Sequence, residues 1–473
     1  MQEILTAAAP ITRAHTQQKG MTNIELKSSI SLASIYGLRM LGMFLILPIF
    51  AIYAAQYQGG QNAFMVGMTL GAYGLTQAMF QLPFGMASDK FGRKKIIYIG
   101  LIMLIVGSVV AALATDIKMV MLGRAIQGSG AVSAAVTALV ADLTREEQRT
   151  KAMAMIGATI GVTFAISLVL GPTIAHWSGI AGIFWLTAIL AILAILVIRY
   201  VVPNPVVTQY HSDASATPTK LKDVLKNSQL LRLNYGIFAL HASQMAMFIV
   251  VPFAIKNTSS LNVNQHWQVY LPILFGSFLL MIPAIIVGEK RGLLKPVFIS
   301  AVLLMLIAQL CLSQFIESFW GVIFSLFIYF VAFNILEASL PSLISKLAPA
   351  AAKGTAMGVY NTAQSLGVAV GGLVGGYLAH HYSFAIVFFF CAILMFLWLI
   401  FAITMQTPPQ VKTKMYHTEQ LTAKSAENLM QSLSKIVGVR EAVVIVDEQL
   451  AILKIDAKLQ WDETAALDLI GSK

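Results

Sequence analysis

Gly85-Met-Ala-Ser-Asp89-Lys-Phe-Gly92-Arg93-Lys94-Lys95 is a short charged stretch set between two long apolar runs, near 64–87 and 95–115. Each run has about the 20 residues that an α-helix needs to cross a bilayer core of roughly 30 Å. The local pattern is therefore helix, tight basic loop, helix, and the rest of the chain repeats it. Of 473 residues, 58% are hydrophobic and only 11% charged, against roughly 25% charged in soluble domains. So few charges cannot cover a soluble fold of this size, and disordered chains are apolar-poor. The composition leaves a polytopic membrane protein, and 34 glycines suit helices that approach closely in lipid.

Other classes fall away on the same grounds. Cys311 and Cys391 both lie in apolar runs, with no disulfide framework and no metal-ligand spacing; they read as small apolar fillers, and no metal or cofactor is expected. The net charge of +11 is spread between apolar runs rather than gathered on one basic face, which speaks against a nucleic-acid partner. No catalytic constellation and no phosphate-binding loop of a primary pump is present, so an enzyme is not expected. Residues 1–28 form a polar tail without a signal-peptide core.

Counting outward from the opening stretch gives twelve spans, near 29–53, 64–87, 95–115, 118–141, 152–175, 179–201, 228–254, 267–288, 294–315, 319–345, 354–380 and 384–405. The expected fold is all-α, with six-helix bundles at 29–202 and 228–406 joined by a polar linker at 203–227. Tail and even-numbered loops carry 22 Lys and Arg, whereas odd-numbered loops carry only Lys118 and Lys256. The positive-inside rule then places both termini in the cytoplasm. Thr137-Ala-Leu-Val-Ala-Asp142 and Pro341-Ser-Leu-Ile-Ser-Lys346 are weakly similar and hold corresponding places at the ends of spans 4 and 10. Parallel six-span repeats with a substrate site between the halves are one known transporter plan.

Several residues are candidates for function. In the opening stretch, Gly85 allows close helix contact, Gly92 a tight turn, and Asp89 can cap a helix or meet an arginine; the basic cluster suits lipid headgroups. Four ionisable groups lie inside spans: Arg39, Arg124, His241 and Glu337. Arg39 lies about ten residues from the cytoplasmic end, near mid-membrane at 1.5 Å per residue. It is read either as structural or as a contact for an anionic substrate or a carboxylate during the cycle. Arg124 either snorkels towards the outer interface or, with Gln127, takes part in coupling or in substrate contact. Glu337 is the lone carboxylate deep in an apolar run. Desolvation opposes a charge in such a place, so Glu337 is the candidate proton carrier, with a structural pairing to His241 or Lys256 as the other reading. Histidine titrates near neutral pH, and His241 is equally read as a hydrogen-bonded structural residue. Span 5 carries Gly157-x-x-x-Gly161 and Gly171-Pro172, a packing or kink pattern.

After Pro408-Pro409 the character changes. Residues 416–473 hold six Lys or Arg against nine Asp or Glu. A helix at 425–437, strands at 440–447 and 450–456 joined by a tight Glu448-Gln449 turn, a second helix at 461–470 and a strand at 411–417 give the order β-α-β-β-α. This small soluble α+β domain, 411–473, resembles a ferredoxin-like domain with its last strand absent or supplied elsewhere.

The stretch 85–95 resembles the signature loop of the major facilitator superfamily, and Arg124-Ala-Ile-Gln127-Gly128-Ser-Gly130 resembles a second motif of that family. Leu38-Arg39-Met-Leu-Gly-Met-Phe44, Asp142-Leu-Thr-Arg145 and the ferredoxin-like tail are similar to the YajR-type efflux transporters within it. The resemblance implies alternating access in a bacterial inner membrane, with proton-driven export and with lipids as surroundings; the leading reading of the chain is export of small amphipathic compounds. It implies that Asp142 pairs with Arg93 beside Asp89 in a charge network that holds the outward-facing state. Gly157, Gly161, Gly171 and Pro172 partly resemble the family's antiporter motif, although Thr173-Ile-Ala follows where a glycine pair is typical. The second-half loop, Gly288-Glu289-Lys290-Arg291-Gly292, is degenerate. An uptake symporter or uniporter, and a non-transporting sensor that signals through its tail, remain the alternatives; a cytoplasmic regulator or ligand at the tail domain fits either. Cysteines at positions 58, 212 and 473 in a cysteine-free background should report outside, inside and inside to an impermeant maleimide on intact cells. Labelling of position 473 from outside would break the twelve-span arrangement.

Overall fold

The computed structural model describes residues 20–204, 218–349, 352–407, 411–419, 421–446, 449–456, 459 and 461–471. Most of the tail, the centre of the linker, Pro408-Pro409 and Glu448 lie outside the described residues.

Span 1 is α1 (Asn23–Phe44), opened by a capping box between Thr22 and Glu25, and then α2 (Phe50–Tyr53). Turns across Pro48 separate the two. A proline has no N–H to donate and crowds the preceding turn, so the expected continuous span is broken. Span 2 is α3 (Ala63–Phe91), capped by Asn62. Gly92 alone divides it from span 3, α4 (Arg93–Ala112), and sits at φ +97°. An L residue there would be strained by about 1–2 kcal/mol.

Span 4 is also broken, into α5 (Ile117–Ser129) and α6 (Ser133–Leu143). At the break Gly130 lies against α4 so closely that a Cβ would stand 2.3 Å from the Gly100 carbonyl oxygen. Spans 5 and 6 are two stretches of α7 (Glu146–Tyr200), interrupted at Gly179, φ +65°. The linker closes with α8 (Pro218–Lys226), a helix where only polar linker was expected; its Val224 is buried. Spans 7 to 12 are α9 (Ser228–Thr258), α10 (Trp267–Lys290), α11 (Leu294–Phe315), α12 (Phe319–Leu347), α13 (Lys353–His381) and α14 (Phe384–Ile403).

Among the described residues, eight helical segments, one of them holding both spans 5 and 6, are long and apolar enough to cross a bilayer on their own. The other three spans, α1, α3 and α13, are diluted by glycine and polar residues, and α3 and α13 set those glycines against each other. On α3, Gly67, Gly71 and Gly74 meet Gly372, Gly376, Ala369 and Ser365 of α13; a Cβ on Gly67 would lie 2.1 Å from the Gly372 oxygen. A second stripe on α13, Gly367, Gly371 and Gly375, lies on Phe238, Ala242 and Ala246 of α9. The first bundle thus touches the second backbone to backbone, at the end remote from the 85–95 loop. Exposed Trp177, Trp320 and Tyr382 mark that end, as aromatic residues do at a membrane interface.

The tail domain has β1 (Val411–His417), α15 (Ala423–Ser434), β2 (Val439–Ile445), β3 (Leu450–Asp456) and α16 (Glu463–Ile470). The strand order is β1-β3-β2, with β3 antiparallel to both neighbours. This is the split β-α-β arrangement expected of a ferredoxin-like plan. Leu433, Leu453, Ile455, Ala466 and Ile470 form its core, and Gln449 enters β3 at φ +50°.

Gly67→Ala should lower stability by about 1–3 kcal/mol, as overpacking does. Gly157→Ala, with nothing within 4 Å of its Cβ position, should not. Thermal unfolding in detergent reads both, and equal midpoints for the two variants would contradict the close contact.

Candidate functional site

Between the bundles lies a cavity of about 1930 Å³. It runs from Glu337 and His241 inside the spans to Asp89, Arg93 and Lys346 at the end that carries the 85–95 loop. At its inner end Phe164 of α7, itself part of the cavity lining, makes an aromatic plug across the bundles. Its ring stands 5.1 Å from Phe44, 6.2 Å from Phe333 and 6.4 Å from Phe248. Plug and glycine contact together lie across the far end, so among the described residues the cavity opens towards the 85–95 loop. Its wall is largely apolar and aromatic, with a few polar groups, as small-molecule sites are.

At the mouth the structure brings together Asp89, Arg93 and Asp142. Arg93 begins α4, where Gly92 turns it back against the end of α3. Its guanidinium pairs with Asp89, donates to Ser88 Oγ at 3.0 Å and lies 3.3 Å from Asp142 Oδ2. Arg93 and Asp142 are buried, whereas the Asp89 side chain is 25% exposed. All three belong to the first bundle, so their pairs form while the cavity is open at this end. Gly85 serves the close contact expected of it: a Cβ there would meet Ala134 Cβ of α6 at 3.3 Å. Lys94 departs from the lipid-anchoring expectation. Its Nζ donates to the Val202 carbonyl at 2.6 Å, capping the end of span 6, where carbonyls lack intrahelical partners.

The second bundle has a charge-reversed counterpart that its degenerate loop hides. Glu289, at the end of α10, accepts from Lys346 Nζ at 2.7 Å, and Lys346 holds the repeat position of Asp142. Acid and base have exchanged elements, and the pairing survives.

Deeper in, the buried Arg39 donates to Ser133 Oγ and to Tyr73 Oη, both at 3.1 Å. The buried Arg124 donates to Gln127 Oε1 at 2.8 Å and lies 4.5 Å from the centre of the Tyr73 ring. Gln127 passes the contact to α4 by donating to Ser108 Oγ at 2.8 Å. Arg124 therefore does not snorkel to an interface. Ser133 and Tyr73 escape a sequence reading because a single hydroxyl in a span carries no charge signal; the only hint at Tyr73 is its place between the packing residues Gly71 and Gly74.

Across the cavity, His241 Nδ1 lies 3.3 Å from the Ile237 carbonyl oxygen and Nε2 2.8 Å from the Gln364 amide nitrogen. A neutral ring protonated on Nδ1 satisfies both, donating to Ile237 and accepting from Gln364. Glu337 Oε2 is 3.9 Å from His241 Nε2, beyond hydrogen-bonding distance. The Glu337 side chain is 34% exposed within the cavity, more open than its apolar run suggests. Gly157 and Gly161 line the cavity instead of packing on a helix, which corrects the packing expectation for them. Gly171, beside Pro172 within α7, does pack: its Cβ would be 2.5 Å from the Leu45 oxygen.

The tail domain stands at the mouth, where Lys414, Tyr416, Glu463 and Leu467 complete the lining. Lys454 Nζ donates to the Ala348 carbonyl at 2.5 Å, just past the end of α12. Hydrogen bonds to Glu463 from Lys414 Nζ at 2.5 Å and Tyr416 Oη at 2.7 Å hold its carboxyl below the usual carboxylate range.

Two six-span bundles around a one-sided, largely apolar cavity define a secondary transporter. The family model for the Major Facilitator Superfamily matches residues 32–290 and 265–445, and the chain belongs to that superfamily, a family of multi-pass membrane transporters rather than enzymes. It is 42% identical to the inner membrane transport protein YajR of Escherichia coli K12, over 93% of this chain and 96% of that one. It is 26% identical to the multidrug resistance protein MdtH of Aeromonas hydrophila, over 73% and 85% of the two chains. Among solved structures, a bacterial homologue of the human lysosomal transporter Spinster, in an inward-facing and occupied conformation, superposes with a TM-score of 0.64. The identity is 13%, over 81% of this chain and 97% of that one.

Breaking a buried ion pair typically costs about 3–5 kcal/mol and a surface pair about 1 or less. Asp142→Asn should therefore destabilise the protein distinctly more than Asp89→Asn. Unfolding in mixed micelles checks the order, and the reverse order would put the weight of the network on Asp89.

Proposed function

We propose that this transporter is a proton-coupled antiporter that exports small amphipathic compounds from the bacterial cytoplasm, and that the loop end of the cavity is its cytoplasmic end. The Lys and Arg count of the loops supports that orientation, and the cavity is then inward-facing. The observation that carries the coupling is Glu337: a carboxylate on a membrane span, open to the cavity, with its second oxygen buried and no hydrogen-bond donor on that oxygen among the described residues. Ionisable groups so placed mark ion pathways. Glu337 can load a proton while the far side is open and release it where the cavity now opens. His241 is already satisfied as a neutral ring and serves to orient the site. Asp89, Arg93 and Asp142 lie within one bundle, and they bias the two states through whatever contact the second bundle adds to them when the loop end closes, since only a differential contact shifts an equilibrium. The tail domain, pinned to the end of α12 and lining the mouth, is positioned to regulate access there. The relationship to a multidrug resistance protein favours efflux over uptake.

Glu337→Gln keeps size and hydrogen bonding but cannot titrate. In liposomes it should abolish substrate flux driven by a pH gradient and leave substrate counterflow measurable, whereas His241→Gln should weaken coupling less. Uphill transport by Glu337→Gln at the wild-type rate would make Glu337 structural.

A further inference from the structure

Glu337 and His241 lie on the second-bundle wall of the cavity, and the first bundle forms the wall opposite. There, two guanidinium groups are buried in one place. Arg39 and Arg124 are each 2% exposed, and among the described residues neither has a carboxylate partner. Their hydrogen-bond acceptors are neutral: Ser133, Tyr73 and Gln127. A buried cation without a counter-charge is costly and is kept where something compensates it. Unlike Arg93, which holds Asp142, this pair holds no acid.

The arrangement faces the cavity through Tyr73 and Arg124, both of which line it. Arg124 lies over the Tyr73 ring, and its Nε has no hydrogen-bond partner. Arg39 lies behind, giving its hydrogen to Tyr73 Oη. Because that oxygen is already an acceptor, the hydroxyl hydrogen of Tyr73 is free to be donated. A guanidinium and a hydroxyl donor side by side at the edge of an apolar cavity suit an oxyanion, which takes shorter and stronger hydrogen bonds than a neutral acceptor. The neighbouring wall supplies Met40, Phe44 and Phe164 for an apolar body.

We infer that the substrate is an amphipathic monoanion, a carboxylate or sulfonate on an apolar or aromatic body, whose anionic group is held by Arg124 and Tyr73 with Arg39 positioning Tyr73 from behind. This rests on the transport reading of the cavity and names its substrate class.

The test uses three isosteric probes on the full-length protein in detergent: 2-naphthoate, 2-naphthamide and 2-naphthylmethylammonium, with equilibrium binding as readout. Wild type should retain the naphthoate at least about tenfold better than the amide, a margin in keeping with a charge-assisted contact, and should bind the ammonium worst. Tyr73→Phe, which keeps the ring under Arg124 and removes only the hydroxyl, should narrow the margin. Arg124→Gln should erase it and Arg124→Lys should restore part of it, while the amide binds each variant as it binds wild type. Naphthoate retained no better than the other two by wild type overturns the inference, as does a margin that survives in folded Arg124→Gln. Flux separates this from the broader reading. A naphthoate preference without pH-driven flux would sink the antiporter and leave the anion site standing. Proton-driven flux of the ammonium or amide, undiminished in Arg124→Gln, would do the reverse.

Discussion

A charge inside an apolar slab must find a partner or water, and most of this molecule follows from that constraint. Removing an ion from water costs several kcal/mol even after the protein relaxes, more than any single helix contact returns. Arg93 meets the constraint with Asp89 and Asp142, and Lys346 meets it with Glu289. Glu337 meets it by opening onto the cavity, and Arg39 and Arg124 by neutral acceptors and an aromatic face. The charges that find acids are those at the mouth. The charges that do not are those at the cavity, where the proposed substrate or proton would complete them.

The second determinant is glycine. The α3–α13 and α9–α13 contacts bring backbones to distances that no side chain tolerates, and in lipid such packing replaces the hydrophobic drive that holds soluble helices together. The contact closes one end of the bundle pair and leaves the other apart. A smooth interface of glycine, without interlocking side chains, is also one along which two rigid bundles can part and reseal. The cavity is therefore a property of the packing, and its opening on one side reflects which end the glycines join.

The sequence made the number and order of the spans legible because hydropathy and loop charge are averaged over many residues. It did not show the breaks. Pro48 and Gly130 interrupt spans that composition alone continues, since a twenty-residue window cannot see one missing hydrogen bond. The tail domain read well, because period-2 and period-3.6 patterns alternate cleanly there. In the site, the charged residues and Gln127, the neutral partner of Arg124, could be named in advance, and the other neutral partners could not. Ser88, Ser133, Tyr73 and Gln364 become visible only when the fold sets them beside a charge. Lys94 and Gly157 show the converse: the residue type was informative, but what it touches depends on three-dimensional neighbours such as the carbonyl of Val202 or open space.

If two rigid bundles expose one cavity to either side in turn, paired spin labels across both ends report it: positions 91 and 293 at the loop end, 61 and 382 at the far end, all on the exterior or in loops. Across a pH titration in lipid nanodiscs the two distance distributions should move in opposite senses, the loop-end pair shortening as the far-end pair lengthens. Two ends that move together, or a far-end distance that stays fixed while the protein transports, would contradict it.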